Sequence, residues 1–469
     1  MKRFIPLILI EGATVMAVEL CGAKLMAPLY GGGLFVWAAI LAITLSALAG
    51  GYFFGGILSQ REKTDRILFN IISVASVCIA IMPFIATYVL PYISYVNFKM
   101  AVILSAILLI FIPIFLLGCT TPLFVRLNTI KAEMAGVISG RVYAISTFGG
   151  IVSTLLCGFL LIPAIGLKFT LLCFAILLFV TAGLILKLIK GNASIVLLVV
   201  FVFALQNYSR SEAALYANHG ILGEIEVVDH TYENESVRQL LINKIVQTEL
   251  NLKTKQSTST YIHYIDCLIE TPERKANALV LGLGGGLLAN KLCKRNYTVD
   301  GVEFDERIIE AARTYFQLDP SVKTFPEDAR SFINTCDKKY ELIVFDLFKA
   351  EDQPSHVLTM ESIEKVKKML LPNGTIIINW HGFVKQPLGK GTEILLNTLS
   401  ESGFAYELVA TGANEDHSNT LIIAKTQSGL KASGLLQVNT DDQPVLEAAN
   451  AKANLRWRIN YLRYYQGKK

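Results

Sequence analysis

The sequence predicts a multi-pass α-helical membrane domain followed by an α/β domain built on a doubly wound parallel sheet. Three observations predict it. Up to about Leu205 the chain is a series of long apolar runs with few charges, and after Ser209 it has the mixed composition of a water-soluble domain. A short apolar run, 278–281, leads into a turn with Gly282, Gly284, Gly285 and Gly286 and then into a helix-forming stretch, 287–294. A second strand, 298–304, carries Glu303, 19 residues after Gly284. Strand, glycine turn, helix, strand and acid in that order make the first βαβ unit of a Rossmann-like, nucleotide-binding sheet. The glycines admit a ligand close to the backbone, and the acid is suited to hold ribose hydroxyls.

Composition narrows the class further. The chain has 469 residues, 53% of them hydrophobic, and a mean hydropathy of +0.47, too apolar for an ordinary soluble protein. The net charge is +5, from 43 Lys and Arg against 38 Asp and Glu. No basic run is long enough for a nucleic-acid partner, and ordinary surface charge accounts for the balance. The 8 cysteines are scattered with no CxxC pair, and Cys21, Cys78, Cys119, Cys157 and Cys173 fall in apolar runs. That pattern argues against a disulfide framework and against a metal site. The first run follows Lys2 and Arg3 but carries Glu11 and Glu19, which reads as a span rather than a cleaved signal peptide.

A membrane span needs about 20 mostly apolar residues. Such runs lie at 4–25, 34–58, 67–90, 100–125, 138–163 and 169–186, with a shorter one at 193–205, giving six or seven helices in a domain of residues 1–208. Charges inside the runs are Glu11, Glu19, Lys24 and Arg141. Charge is costly in a bilayer, so these side chains are expected to face the bundle interior. Glu19 paired with Lys24 or Arg141 is the packing reading; a substrate path or proton relay is the functional one. Glycines near 50–56 and 149–158 suit close helix packing. Lys and Arg gather at the N-terminus and after the second, fourth and sixth runs, which the positive-inside rule assigns to the cytoplasm. If all seven runs cross, the soluble domain lies outside. A nucleotide-type co-substrate is cytosolic, so the preferred reading has one run not crossing and a cytoplasmic soluble domain on the cell (inner) membrane.

In the soluble half, 211–270 reads as a small β-strand lead-in domain. Strands at 224–228 and 237–242 flank a polar turn, and Gln247, a hydroxyl-rich stretch at 257–261 and a helix with Tyr261, Tyr264, Ile265 and Leu268 on one face follow. Residues 271–426 hold the Rossmann-like sheet. Beyond the first βαβ unit come a strand at 322–325 followed by Glu327, Asp328 and a helix, a strand at 340–345 ending at Asp346, and a helix at 362–371 stopped by Pro372-Asn373-Gly374. A strand at 375–380, a helix at 391–402 and an antiparallel pair at 406–410 and 420–425 complete it. The tail, 427–469, carries Asp441, Asp442 and Pro444, then a basic, aromatic end at 456–465, read as a solvated helix with anionic lipid as the alternative.

Ligands of open α/β sheets bind beyond the carboxyl ends of the strands. The glycine turn, Glu303, Asp328 and Asp346 all fall there. An acid after the third strand is placed to accept from an adenine amino group, and one after the fourth to meet the reacting end of the ligand. For Asp328 the structural alternative is a cap on the following helix.

These residues have a familiar pattern. From Ser211 to about Lys425 the chain resembles the spermidine synthase family of polyamine aminopropyltransferases, and the whole chain resembles the bacterial subgroup that fuses such a domain behind a multi-span membrane segment. The matching pieces are IVQ at 245–247, TYIHY at 260–264, VLGLGGG at 280–286, VEFDERIIEAARTYF at 302–316, EDARSFI at 327–333 and YELIVFDLF at 340–348. Pro354, His356, Thr359 and Glu361, with GRVYAISTFGG at 140–150 and LIPAIG at 161–166, match the subgroup.

The resemblance implies a role for each matching position. Glu303 would bind the ribose of decarboxylated S-adenosylmethionine, Asp328 its adenine, and Gln247 and Tyr261 would line the site with Gly282, Gly284 and Gly286. Asp346 would be the catalytic acid–base residue, and a putrescine-like amine the acceptor. No metal is implied; the bilayer is a partner, and a homo-oligomer is left open. The chain departs from the family where Gly285 replaces an acid of the glycine turn, where Leu347, Phe348 and Lys349 follow Asp346 in place of a second acid, and where His263 replaces an acid. The adenosyl half of the site thus keeps the family pattern and the amine half does not. Three functions follow: an aminopropyltransferase, a methyltransferase of the same fold using S-adenosylmethionine, and a non-catalytic polyamine or nucleoside binder.

Overall fold

The computed structural model describes residues 2–30, 34–93, 98–187, 214–220, 223–232, 235–348, 353–416, 418–426 and 436–466. The chain divides into two compact units, Met1–Glu212 with Asn218–Gly223, and Ala213–Ala217 with Glu224–Lys469. The short apolar run at 193–205 and residues Lys349, Glu351 and Asp352 lie outside the described residues.

The first unit is helical: α1 (Ile5–Tyr30), α2 (Leu34–Leu58), α3 (Thr64–Tyr88), α4 (Phe98–Ala106), α5 (Ile112–Asn128), α6 (Ala135–Leu156) and α7 (Ile162–Leu186). Five stretches among the described residues are long and apolar enough to cross a membrane: Lys2–Ala27, Phe35–Leu58, Thr64–Tyr88, Lys99–Asn128 and Ala132–Leu186. The last has 55 residues. An unbroken helix of that length would run about 80 Å against a hydrocarbon core of about 30 Å. Gly166, at φ 76 and ψ 171, interrupts it. The two apolar runs of this stretch are therefore separate helical segments.

Hydrophobic burial gives helices in lipid little reason to associate, so close backbone approach matters more. A Cβ on Gly12 would collide with the carbonyl of Ser146, and one on Gly149 with that of Leu9, so α1 and α6 meet backbone to backbone. Gly51 and Gly55 admit the carbonyls of Phe115 and Cys119 in the same way, joining α2 to α5. Glu11 is buried at this first crossing, where the Ser146 hydroxyl donates to its Oε2 at 3.0 Å. The pairing expected of Glu19 does not occur: Glu19 is buried with no ion pair among the described residues, and Arg141 is exposed.

The second unit holds most of a four-stranded sheet in the order β1 (Ala214–Gly220), β2 (Gly223–Tyr232), β3 (Glu235–Ile242), β4 (Ile245–Asn251). Asn243 and Lys244, both with positive φ (50 and 66), make the tight turn from β3 to β4. α8 (Thr260–Leu268) leads on to the main sheet.

The main sheet is built from β5 (Ala276–Leu281), α9 (Leu287–Lys294), β6 (Tyr297–Glu303), α10 (Glu306–Tyr315), β7 (Lys323–Pro326), α11 (Ala329–Thr335), β8 (Tyr340–Phe345), α12 (Met360–Met369), β9 (Leu370–Trp380), α13 (Lys390–Glu401), β10 (Phe404–Ala410) and β11 (Thr420–Thr426). Its seven strands run β10-β11-β9-β8-β5-β6-β7. β9, β8, β5, β6 and β7 are parallel, and β11 and β10 join antiparallel at one edge. Near-continuous apolar strands such as Ala-Leu-Val-Leu at 278–281 and Ile343-Val344-Phe345 are buried, as a sheet covered on both faces requires.

One element differs from the sequence reading. Pro372-Asn373-Gly374 does not separate helix from strand. It bulges out of β9, which pairs Leu370 with Tyr340 and Thr375 with Leu342, leaving the intervening residues looped out. Proline has no ladder donor and Asn373 holds φ 66, so neither continues the pairing. The tail helix, α14 (Leu446–Gln466), begins ahead of the basic, aromatic end and buries Leu446, Asn450 and Ala453 there.

Candidate active site

The chain reverses its direction of growth across the sheet beside β5. From β5 it proceeds to β6 and β7 on one side, then returns to lay β8 on the other. Ligands in open α/β sheets lie at such a switch point, beyond the carboxyl ends of the strands. The register puts Leu281 level with Val302 and with Phe345. The next residues are Gly282, Glu303 and Asp346, so the three stand side by side on adjacent strands spaced about 4.8 Å apart.

The glycine turn is shaped by its neighbours. Gly282, Gly284 and Gly286 have φ of 90, 51 and 75, a region glycine enters without penalty. Gly282 also meets the carbonyl of Asp346, where a Cβ has no room. Glu303 is buried and holds the turn from below. Its Oε2 accepts from the N–H of Leu283 (3.1 Å) and Gly284 (3.4 Å), and its Oε1 from the N–H of Asp305 (3.2 Å). Burial raises this carboxyl above the usual range, and the three backbone donors oppose the rise.

Gly285 is capped from the small sheet. Its N–H donates to Thr248 Oγ1 at 2.8 Å, and a Cβ there would meet Thr248 Cγ2 at 2.6 Å and the Phe316 ring at 3.1 Å. Gln247 is the preceding residue of β4 and is half-buried. Its amide Nε2 donates to the Ile245 carbonyl at a long 3.4 Å.

Asp346 lies at the centre. Its N–H donates to Leu281 O at 2.8 Å. Its carboxylate takes one donor on each oxygen: the Tyr261 hydroxyl on Oδ2 at 2.9 Å and the Asn379 Nδ2 on Oδ1 at 2.8 Å. Burial pushes the carboxyl up to about 6, with the bonds from Asn379 and Tyr261 pulling back. Burial, and then the Asp346 charge beside it, raise the Tyr261 phenol, which therefore stays a donor. His263, two residues on from Tyr261, turns its Nε2 to the Ser257 carbonyl at 2.7 Å.

Asp328 divides its two oxygens. Oδ1 accepts from the N–H of Arg330 (2.9 Å) and Ser331 (3.1 Å), capping α11, and Oδ2 stands 3.5 Å from His356 Nε2. The capping alternative is thus realised by one oxygen. Thr359 and Glu361 have a separate task. The Thr359 hydroxyl donates to Asp441 Oδ1 (2.7 Å), Arg330 donates to Thr359 Oγ1 (2.8 Å) and to Asp441 Oδ2 (2.6 Å), and Glu361 Oε2 accepts from the Asp441 N–H (3.0 Å). This node ties the tail to α11 and α12.

Sequence reasoning missed Asn379, Asn419 and His381. Asn379 is fully buried near the end of β9 and accepts, on Oδ1, from Asn419 Nδ2 at 2.6 Å. His381 stacks on Trp457 of α14 (ring centroids 4.7 Å) with the Phe348 ring tilted against it (4.4 Å), and burial pulls its imidazole down to about 4, so it is neutral at pH 7. A buried asparagine inside an apolar strand, Ile376-Ile377-Ile378-Asn379, was the one available signal. Among the described residues no group of three or more His, Cys, Asp or Glu is placed to hold a metal ion.

Residues 259–386 match the spermine/spermidine synthase domain family. The match runs from the start of α8 to just past β9 and so contains Tyr261, the glycine turn, Glu303, Asp328, Asp346 and Asn379. The polyamine aminopropyltransferase 2 of Aquifex aeolicus is 26% identical over 318 residues, covering 63% of this chain and 63% of that protein. The polyamine aminopropyltransferase of Vibrio vulnificus is 33% identical over 115 residues, 23% of this chain and 38% of its own. The N-terminal histidine N-methyltransferase of Emericella nidulans is 33% identical over 112 residues, 23% of this chain and 20% of its own. The chain spans less than two thirds of the length of each of these relatives. Among solved structures, a probable spermidine synthase from Corynebacterium glutamicum aligns at 20% identity with a TM-score of 0.36, covering 45% of this chain and 77% of that one. The match over 259–386 makes that stretch of the chain similar to the spermine/spermidine synthase domain family.

Proposed function

We propose that the protein is a membrane-bound aminopropyltransferase that moves the aminopropyl group of decarboxylated S-adenosylmethionine to an amine such as putrescine. The observation that carries this reading is Asp346, held on both oxygens at the switch point of the sheet. An alkyl amine is mostly protonated at pH 7 and attacks only when neutral. Asp346 accepts the ammonium proton, and the freed lone pair forms the C–N bond to the carbon beside the sulfonium. The C–S bond breaks with its electron pair going to sulfur, which leaves as the neutral thioether methylthioadenosine. A carboxyl with a midpoint near 6 is ionised at neutral pH yet basic enough to take part. Positioning the two reactants supplies much of the rest of the acceleration.

In this reading Glu303 binds the ribose, Asp328 offers to the adenine Oδ2, the oxygen not used in the cap and 3.5 Å from His356 Nε2, and Gln247 and Tyr261 line the site. The apolar helices hold the enzyme in the cell membrane with its soluble domain toward the cytoplasmic donor, which protease accessibility in intact cells tests. For the reaction, the test is incubation of the purified protein with putrescine and each sulfonium donor. Methylthioadenosine from the decarboxylated donor is the expected product, and its absence at saturating donor and amine overturns the assignment.

One observation favours a second reading, methyl transfer from intact S-adenosylmethionine. Thr248 closes over Gly285, so no acid can stand there to meet the ammonium of an aminopropyl chain. S-Adenosylhomocysteine as the product would identify that reaction.

A further inference from the structure

We infer that Asn379 is a positioning residue for Asp346, and that Asn419 locks it in the one orientation in which it donates to the carboxylate. The inference rests on the assignment of Asp346 as the proton acceptor and adds the device that aims it. Asp346 has two anchors on different elements: the Tyr261 hydroxyl from α8 and the Asn379 amide from β9. Tyr261 belongs to the expected site. Asn379 and Asn419 do not, and they are 40 residues apart in sequence.

The amide of Asn379 is fully buried, and both its ends are committed. Nδ2 donates to Asp346 Oδ1 at 2.8 Å, and Oδ1 accepts from Asn419 Nδ2 at 2.6 Å. An isolated amide turns over with little change of shape. Here a flip sets its oxygen against the carboxylate oxygen and its NH2 against the NH2 of Asn419. Two hydrogen bonds become two repulsions. Asn419 is the residue before β11, and β11 pairs with β9 so that Asn379 lies opposite Leu421 and Trp380 opposite Thr420. The antiparallel edge of the sheet thus supplies the lock, and β9 carries it to the parallel half where Asp346 stands. The backbone of β9 is closed off as well: Gln353 Nε2 donates to the Asn379 carbonyl at 2.6 Å.

A donor fixed on Oδ1 does two things. It holds the carboxylate plane, and so the direction of the lone pair left for the substrate proton. It also favours the ionised form, opposing the rise that burial imposes. The titratable group that faces Asp346 is Tyr261 from α8, which is a phenol at working pH. No cation on α8 or β9 competes with the amide for this role.

The test uses the full chain in detergent micelles with 13C-labelled aspartate carboxyls, the Asp346 signal being assigned by its loss in Asp346→Asn. Asn379→Leu and Asn419→Leu are uncharged and close in size to asparagine. The expected result is a titration midpoint near 6 in the parent protein, higher by about one pH unit in Asn379→Leu and shifted in the same direction by less in Asn419→Leu. An unchanged midpoint in both variants overturns the inference. If Asn379→Leu fails to fold, Asn419→Leu alone decides, because it touches no atom of Asp346. The titration needs no turnover, so a shifted midpoint without aminopropyl transfer upholds the positioning role while refuting the proposed reaction.

Discussion

The main-chain oxygen of Asp346 occupies the space that a Cβ on Gly282 would need. The residue that begins the glycine turn and the residue proposed to take the substrate proton are therefore packed backbone to backbone. Gly282→Ala meets this obstruction and also forces alanine to φ 90. We expect a loss of stability of about 2 kcal/mol or more, with transfer abolished. A thermal melt of the variant within a degree of the parent would contradict this.

Removing the charge without the shape separates chemistry from binding. Asp346→Asn keeps a side chain of the same size at the switch point but cannot accept the ammonium proton. Turnover should fall by about 10²- to 10⁴-fold, while affinity for methylthioadenosine stays within about threefold of the parent. Calorimetry of product binding, alongside the transfer assay, reads both. Full turnover in the variant removes Asp346 from its role.

The pH dependence has a defined sign. Burial raises Asp346 to about 6 from the ordinary aspartate value, and in the proposed role the ionised form is the active one. The rate kcat/KM should therefore rise with pH through about 6 and level off above it. Stability moves the other way. The folded state holds this proton more tightly than the unfolded chain, so the contribution is complete below about pH 4 and is lost as pH rises through about 6. A profile of kcat/KM flat from pH 5 to 8 would show that a different group limits the rate.

Glu303 serves the turn and, in the proposed role, the ribose. Glu303→Gln retains one oxygen for the N–H groups of Leu283 and Gly284 but loses the charge that favours a vicinal diol. Affinity for the adenosyl ligand should drop about 10- to 100-fold. The drop should be much smaller for a 2′-deoxy analogue, whose affinity in the parent protein is already reduced. Equal losses for both ligands would assign Glu303 to the turn alone.

The helical unit makes a prediction of its own. Gly12→Leu inserts a side chain where Ser146 O passes, and it displaces the hydroxyl that donates to Glu11. We expect α1 and α6 to separate, lowering the melting temperature in detergent by several degrees. Gly56→Leu, where a Cβ meets nothing, is the control.

Much of this was legible in the sequence, for physical reasons that can be named. Buried parallel strands are continuous apolar runs, so 278–281 and 340–345 announced themselves, and a glycine turn between strand and helix has few other uses. Asp346 was visible because it ends such a run. Asn379 was not, since its meaning depends on the pairing of β9 with β11, which no local pattern encodes. Glu19 was assigned a partner on spacing and charge alone, and among the described residues it is buried with no ion pair.

Arg330 donates its backbone N–H to the capping oxygen Oδ1 of Asp328 and, through its guanidinium, grips Thr359 and Asp441. In the role proposed for Asp328, occupancy of the adenine end of the cleft is thereby linked through one residue to the attachment of the tail beside α12. Amide protons near Asn439 and Asp441 should exchange with solvent more slowly when the nucleoside is bound, making the tail a passive reporter of occupancy far from the sulfur.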